Sequence, residues 1–478
     1  MGTPTQISLG YRTNPARNQQ AGNAQLINCF AEETSQDAKT TWVIYNTEGL
    51  TAFGDPLTGG GIRAGITVGS TAYVIAGRNV YTISSGGVAT LIGGIATDGP
   101  VYMERNRRIP AQIGIVSDGL YYVIDTGPNT ITQISDAALS APVSISFLQG
   151  YGVLPTINGG IVLTNNDDFS TIDGLATGNA EAYPDDIVRS ITLENEVIFA
   201  GEGSTEWFQD TGDDPFPLTR VSALEIGWLA GDSLAKVDTK TRKAVIGVAT
   251  DHTVRMINGY SAQVISTPEI EEMIKNLDDA GNVSQLKGMA WAYAGRFFYA
   301  LVCNDWARCF DSKSGHWHTR KSYGLDRWRV STVFKFGNKL IAGDYESGQL
   351  YTMSNTVYTE AGNYLVSEIV TPHIHAFPYK LKFNTLYVDA ATGVGINSAD
   401  EHASNPKLLI SWSDDSGYSW SPEVERSLGT DAEYRRIKPV RRMGRSKNDK
   451  GRLYRLRISA PVPRVTMQAS IDFTQLAA

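Results

Sequence analysis

The feature that most constrains this chain is a strand, a polar turn and a second strand, repeated along most of its length. The pattern is plainest between Arg296 and Met353. RFFYALV (296–302) is followed by WARCFD (306–311), SKSG turns into HWHTRK, and VSTVFKF, KLIAGD and QLYTMS come after, parted by Gly337-Asn338 and Glu346-Ser347-Gly348. Aromatic and β-branched runs bounded by Gly, Asn, Asp and Ser read as antiparallel strands joined by hairpin turns. Related units begin at Asn79, Leu120, Phe169, Ser204, Thr253, Ala307 and Gln349. They start roughly 35–55 residues apart, the period of propeller blades built from four short strands. ITVGSTAYVIAG and SITLENEVIFAG stand ahead of their units, where a blade needs its inner strands. Sheets this small would expose faces and unpaired edges if left apart, and closing them into a ring covers their faces. The spacing therefore predicts a β-propeller of about seven blades over residues 41–358.

The flanks differ. Residues 1–40 are polar and turn-rich and are expected to form an extended arm that needs a partner surface. One helix is expected inside the propeller: Thr267 can cap it, Pro268 suits its first turn, and Ile270, Met273, Ile274 and Leu277 recur at helical spacing. Its apolar face should pack on the propeller. From 359 to 478, longer runs alternate apolar and polar positions, among them LKFNTLYVDAATG, KLLISWSDDSGYSWS, LYRLRISA and RVTMQASIDF. That texture predicts a C-terminal β-sandwich. The fold class expected is all-β.

Composition narrows the function classes. Gly at 47 and Tyr at 22 residues in 478 suit tight turns and half-buried strands. Three cysteines (Cys29, Cys303, Cys309) are too few for a disulfide framework, which favours assembly in a reducing compartment. The first twenty residues have no signal-type apolar stretch, and Gly61–Gly77, the most apolar region, is interrupted by Arg63 and several glycines. A soluble protein that is not exported is expected.

Several motifs have a chemical and a plain reading. SDDSGYSW (413–420) fits the Asp-box S-x-D-x-G-x-x-W, a hairpin brace that, beside a propeller and Arg108-Ile109-Pro110, invites a carbohydrate-binding or sialidase-like alternative. The box is single, lies outside the expected propeller, and has no Tyr-Glu nucleophile pair to accompany it. Cys303, Cys309, His316 and His318 could present thiolates and imidazoles to a metal, as could His373 and His375, but zinc sites usually hold closer Cys pairs. The pairs Asp185-Asp186, Asp213-Asp214 and Asp278-Asp279 stand at turns and a helix end. No phosphate-binding loop, zincin or nucleophile-elbow motif occurs. No catalytic residue, cofactor or metal is expected, and the protein is read as not an enzyme.

Charge is the most informative chemical signal. The net charge of −8 disfavours a generic nucleic-acid binder. Yet residues 435–464 carry twelve Arg and Lys against Asp449 alone, which leaves the remainder near −19. The candidate interaction residues are Arg435, Arg436, Arg441, Arg442, Arg445, Lys447, Lys450 and Arg452. They could bind acidic surface of this subunit or a neighbour, or they could meet nucleic acid or an acidic partner ring. The density of Arg over Lys favours a subunit or adaptor interface.

Three blocks carry a family resemblance. They are GEGSTEWFQDTGDDPFPLTRVSALEIGWLAGDSLAKVD; VISTPEIEEMIKNLDDAG with GRFFYALV and CFDSKSGHWHTRKS; and SWSDDSGYSWS with RRIKPVRRMGRSKNDKGRLYRLRISAPVPRVTMQASIDF. In their order, and with Asn28 and TEGLTAFG near the start, they resemble the packaged-DNA stabilisation proteins of short-tailed bacteriophages, also called tail accessory, hub or nozzle proteins. The resemblance implies a structural virion protein of the tail, assembled in the host bacterial cytoplasm. It implies a homo-hexameric ring below the portal and its adaptor. That ring would retain packaged double-stranded DNA, conduct it at ejection, and hold needle, tailspike or fibre proteins.

Overall fold

The computed structural model describes residues 4–180, 185–239, 243–447 and 449–476. Residues 1–3 of the expected arm, 181–184 and 240–242 of the expected propeller, and 448, 477 and 478 of the expected sandwich lie outside that description. Seven four-stranded antiparallel blades, five of them separate sheets and two of them parts of larger sheets, follow one another along the chain and form a seven-bladed propeller. Blades 1 to 6 start at Ile62, Tyr102, Ser146, Ile187, Ala235 and Lys287, and blade 7 at Val330. The innermost strands of successive blades touch in order, except that the first strand of blade 4 meets the second strand of blade 5; the innermost strand of blade 7 meets that of blade 1, so the ring is closed.

Local sequence explains the blades. Two-residue turns at Asp118-Gly119 and Ala294-Gly295 have positive φ at both positions, the geometry that matches strand twist in a hairpin. The second strand of each blade, such as Thr71–Ala76, Gln112–Ser117 and Glu196–Gly201, is apolar on both faces because a neighbouring blade covers each side. Separate apolar clusters fill the gaps between blades. Phe298 and Ala342 meet between blades 6 and 7, and Ile62 and Ile341 close the gap between blades 7 and 1.

Two of the repeated units fold differently from the pattern. The Phe169 unit is not a hairpin: Asp168–Asn179 is one outer strand whose two register shifts absorb the residues expected to turn. The Gln349 unit provides only a third strand, Leu350–Ser354. Its partner is Gly49–Ala52 from the other end of the propeller, paired Met353 with Leu50, so the last blade is completed by the first propeller strand.

That closure moves the expected boundaries. Trp42–Asn46, expected to open the propeller, belongs to a sandwich sheet. Thr359–Glu360, expected in the sandwich, pairs with Gly49–Ala52 of blade 7. The extended arm has its partner surface within this chain. Thr5–Ile7 pairs with Val465–Gln475. Gln25–Ile27 lies parallel to His316–Thr319 of blade 6 and antiparallel to Ser367–Val370 of the sandwich, which joins blade 6 and one sandwich sheet into a single nine-stranded sheet. The facing sheet runs Cys29–Glu33, Trp42–Asn46, Val465–Gln475, Leu381–Ala390, Val440–Arg445. Between the two lies a core that includes Leu26, Leu386, Leu408, Tyr454 and Ile471.

The helix spans Pro268–Asp279 and buries Ile270, Ile274 and Leu277 against blades 5 and 6. Each such side chain contributes about 1.5–3 kcal/mol by leaving water. Thr267 holds the N-cap position but its side chain does not cap. A four-residue helix, Glu401–Ser404, sits in the sandwich. No helix among the described residues is long and apolar enough to cross a membrane.

The seam beneath the closing strand is polar and sealed. Arg320 Nη2 donates to Glu48 Oε2 at 2.6 Å, with the guanidinium 4.8 Å from the Trp328 ring. Trp328 Nε1 donates to Glu360 Oε1 at 2.9 Å. Both ends of the ion pair are shut off from water, so removing one partner strands a buried charge. Arg320→Met should therefore destabilise the chain by roughly 3–5 kcal/mol, and adding Glu48→Leu should recover much of the loss; urea unfolding monitored by tryptophan fluorescence would show the order.

Burial raises the Glu360 carboxyl to about 7. Between the unfolded carboxyl range and that value, the unfolded chain releases a proton that the folded chain keeps, so this site destabilises increasingly as pH rises from about 4.5 to 7. Glu360→Gln should raise the melting temperature at pH 8 and leave it nearly unchanged at pH 4.5, as differential scanning fluorimetry would register.

Candidate interaction surface

The basic residues singled out in the sequence lie on the sandwich, but they do not form one patch. Val440–Arg445 is the last strand of its sheet, paired on one side with Leu381–Ala390. Val440 and Met443 point into the core while Arg441, Arg442 and Arg445 stand exposed. Arg442 adopts a left-handed φ of 58° within a stretch of shifted register, an irregularity suited to an edge. Charged side chains on a sheet edge also resist strand addition by another chain.

Arg435, Arg436 and Lys438 on the preceding loop extend this cationic border, as do Lys447 and Lys450 beyond it. Arg435 pairs with Glu433, Arg436 lies 5.2 Å over the Tyr387 ring, and Lys450 Nζ donates to Gln20 Oε1 at 2.6 Å. Beside the border a groove of about 920 Å³ is lined by Arg435, Arg436, Lys438 and Arg441 together with Lys39 and Asp389, which pair with one another. This is a shallow surface with cations along one wall and an exposed Tyr434.

Arg452 does not belong to it. Its guanidinium is 1% exposed and grips Asp414 in a fork, Nε to Oδ1 at 2.7 Å and Nη2 to Oδ2 at 2.9 Å. It also donates to the Met443 and Arg445 carbonyls and stacks 4.4 Å from Phe383. Arg452 therefore braces the edge strand from within and cannot reach a partner. Alternation in RLYRLRI carried the signal: Arg452 shares the phase of Tyr454, Leu456 and Ile458, the buried face, whereas Arg455 and Arg457 have the other. Those two meet Glu423. Arg464 is likewise internal. It donates to Ser367 Oγ at 2.9 Å and to the Tyr358 carbonyl at 2.9 Å, and so clamps the end of the propeller to the start of the sandwich.

The other candidate motifs have local roles. Asp415 of the Asp-box accepts from Ser419 N at 2.8 Å and from Ser413 Oγ at 2.7 Å, and Ser413 Oγ accepts from Gly417 N at 2.8 Å. These bonds outweigh its partial desolvation and hold the carboxyl down at about 2. Arg455 lies 4.4 Å over the Trp420 ring beneath the turn. Arg108 sits 3.6 Å from Asp168 at the junction of blades 2 and 3, far in the chain from this box.

Cys309 and His318 are cross-strand neighbours, but Cys303 packs in the cluster with the helix and Cys309 in the cluster between blades 6 and 7. Burial pushes the Cys309 thiol up to about 12 and the His318 imidazole well down. His316 leans on Trp42 at 5.0 Å, and His373 Nε2 is 3.0 Å from Ser416 Oγ. No group of three or more His, Cys, Asp or Glu converges on a metal-sized point among the described residues.

The chain has relatives in both of its domains. Residues 19–358 match the family model described as Bacteriophage P22 Gp10, beta-propeller, and residues 367–474 match that described as Bacteriophage P22 Gp10, beta-sandwich. No curated protein matches significantly. Among solved structures, similarity extends to the computationally designed Ika8 protein, at 14% identity and a TM-score of 0.38 over 69% of this chain and 99% of that one. The WD40 beta propeller domain of Doa1 is similar at 10% identity and a TM-score of 0.39, covering 63% of this chain and 96% of that one. PorZ of the type-IX secretion system of Porphyromonas gingivalis is similar at 10% identity and 0.39, covering 71% and 44%.

Because Asp414 would be left buried without its cation, Arg452→Ala should cost roughly 3–5 kcal/mol of stability. Arg441→Ala, on the exposed edge, should change stability by less than about 0.5 kcal/mol. Thermal melts of the two variants side by side would separate the bracing cation from the surface ones.

Proposed function

Because this chain belongs to the bacteriophage P22 Gp10 family, we propose that it is a structural protein of a short-tailed phage virion that stabilises packaged DNA. In this reading it forms a homo-hexameric nozzle or hub ring below the portal and its adaptor, retains DNA, conducts it at ejection, and anchors needle, tailspike or fibre proteins. It carries out no catalysis and assembles in the host cytoplasm. The observation that carries the proposal is the match of both domains, in order, to one family over nearly all of the chain.

The architecture suits such a role. A closed ring of blades fused to a sandwich through shared backbone hydrogen bonds gives a stiff wedge, because relative movement of the two would break a sheet. A heterologous contact between such wedges, repeated about an axis, closes a tube. Cations on one exposed border offer a grip for acidic protein or phosphate, with steering that weakens as salt rises.

Deletion of the gene from its phage tests the proposal. Particles made without the protein should package DNA and then lose it, which nuclease protection of the encapsidated genome would measure. Quantitative gels of complemented particles should give several copies of the chain per tail. Full genome retention without the protein, or its absence from purified particles, would overturn the reading.

A further inference from the structure

The acidic surplus of the chain is as localised as the basic one. Between residues 161 and 238, sixteen Asp and Glu stand against Arg189, Arg220 and Lys236, although Asp167 and Asp168 pair with Arg107 and Arg108 of blade 2. This stretch is the outer half of blade 3, all of blade 4 and the start of blade 5. The outermost strands of blades 3 and 4, Asp168–Asn179 and Leu218–Leu224, end their sheets. Their rim exposes two apolar side chains, Leu175 at 77% and Val221 at 40%. Carboxylates flank the strand that carries Val221: Asp213 and Asp214 lie exposed on the loop before Leu218, and Glu225 is exposed just after Leu224. An acidic rim with apolar residues in its middle is a surface made for a cationic, aromatic-bearing counterpart.

Within one molecule that counterpart is out of reach. The sandwich is fused to blades 6 and 7. In a seven-membered ring, blade 3 stands across the axis from the seam between those two. The cationic sandwich is therefore joined to the ring on the side opposite blade 3, an arrangement that favours head-to-tail contact between copies. The extents agree as well. Val440–Arg445 and Leu218–Leu224 are strands of six and seven residues, each roughly 20 Å long.

We propose that the cationic border of the sandwich (Arg436, Arg441, Arg445 and Lys447, with Tyr434) docks on the acidic outer rim of blades 3 and 4 of a second copy of this chain. The inference rests on the ring reading above and names the surfaces by which neighbours meet. Phosphate would serve the cations equally, but it would leave the exposed Leu175 and Val221 of the rim uncovered. A second copy satisfies both sides with one contact.

A charge-swap complementation experiment decides it. Phage lacking the gene would be supplied with Arg441→Glu/Arg445→Glu/Lys447→Glu, with Asp213→Lys/Asp214→Lys/Glu225→Lys, or with a chain carrying all six changes. Each triple variant should lower incorporation into particles by about 100-fold or more, as expected when like charges face each other. The six-fold variant should return to within about tenfold of wild type, which also shows that its changes leave the chain able to fold. Failure of the six-fold variant to recover would overturn the contact. So would normal incorporation of the basic-border variant, whether or not it loses binding to duplex DNA. A single wild-type copy per tail would instead overturn the ring reading itself.

Discussion

Backbone hydrogen bonding at sheet edges is the constraint on which this architecture depends. Every blade ends in an outer strand, and a row of blades ends in two unfinished sheets unless something joins them. Here Gly49–Ala52 supplies the fourth strand of blade 7, so the ring closes by pairing residues separated by some three hundred positions. Closing so long a loop costs conformational entropy that grows only with the logarithm of its length, which the buried blade interfaces offset. The same N-terminal stretch makes a second join. Gln25–Ile27 sits between a propeller strand and a sandwich strand, satisfying backbone groups on both. Two short segments thus turn what could have been two flexibly tethered domains into one body.

Buried charge gathers at those joins. Glu48 and Arg320 meet beneath the closing strand, Arg464 ties Tyr358 to Ser367, and Arg296 pairs with Asp311 close to Glu32 of the arm. Such pairs add little net stability against apolar replacements, but a wrongly placed strand would leave a charge alone in a dry site. They act against misregistered closure. The exposed cations do the opposite job: set along the last strand of a sandwich sheet, they keep that edge from pairing with stray strands.

Much of this was legible from residue order. Strands from Arg296 to Met353 fall where aromatic runs and turn residues place them, because each blade is a local meander whose strands pair with the next in sequence. The helix at Pro268–Asp279 follows from its apolar spacing. The unit at Phe169 misled because bulges allow twelve residues to remain one strand despite Gly174. Arg452 misled because a run of cations was weighed by its density, when strand phase already set Arg452 among Tyr454 and Leu456.

By itself, the sequence determined the blade unit, its repetition, the change of texture near residue 360 and the uneven distribution of charge. Each of these is written in neighbouring residues through turn chemistry, strand period and composition. Only the tertiary structure decided that the polar arm has its partner surface in this chain, that the last blade borrows its final strand from the front, and which cations face water. Backbone pairing between distant strands carries almost no side-chain code, since any residue offers the same N–H and C=O. Where a strand finds its partner is therefore settled by the packing of the whole, and the exposure of each arginine with it.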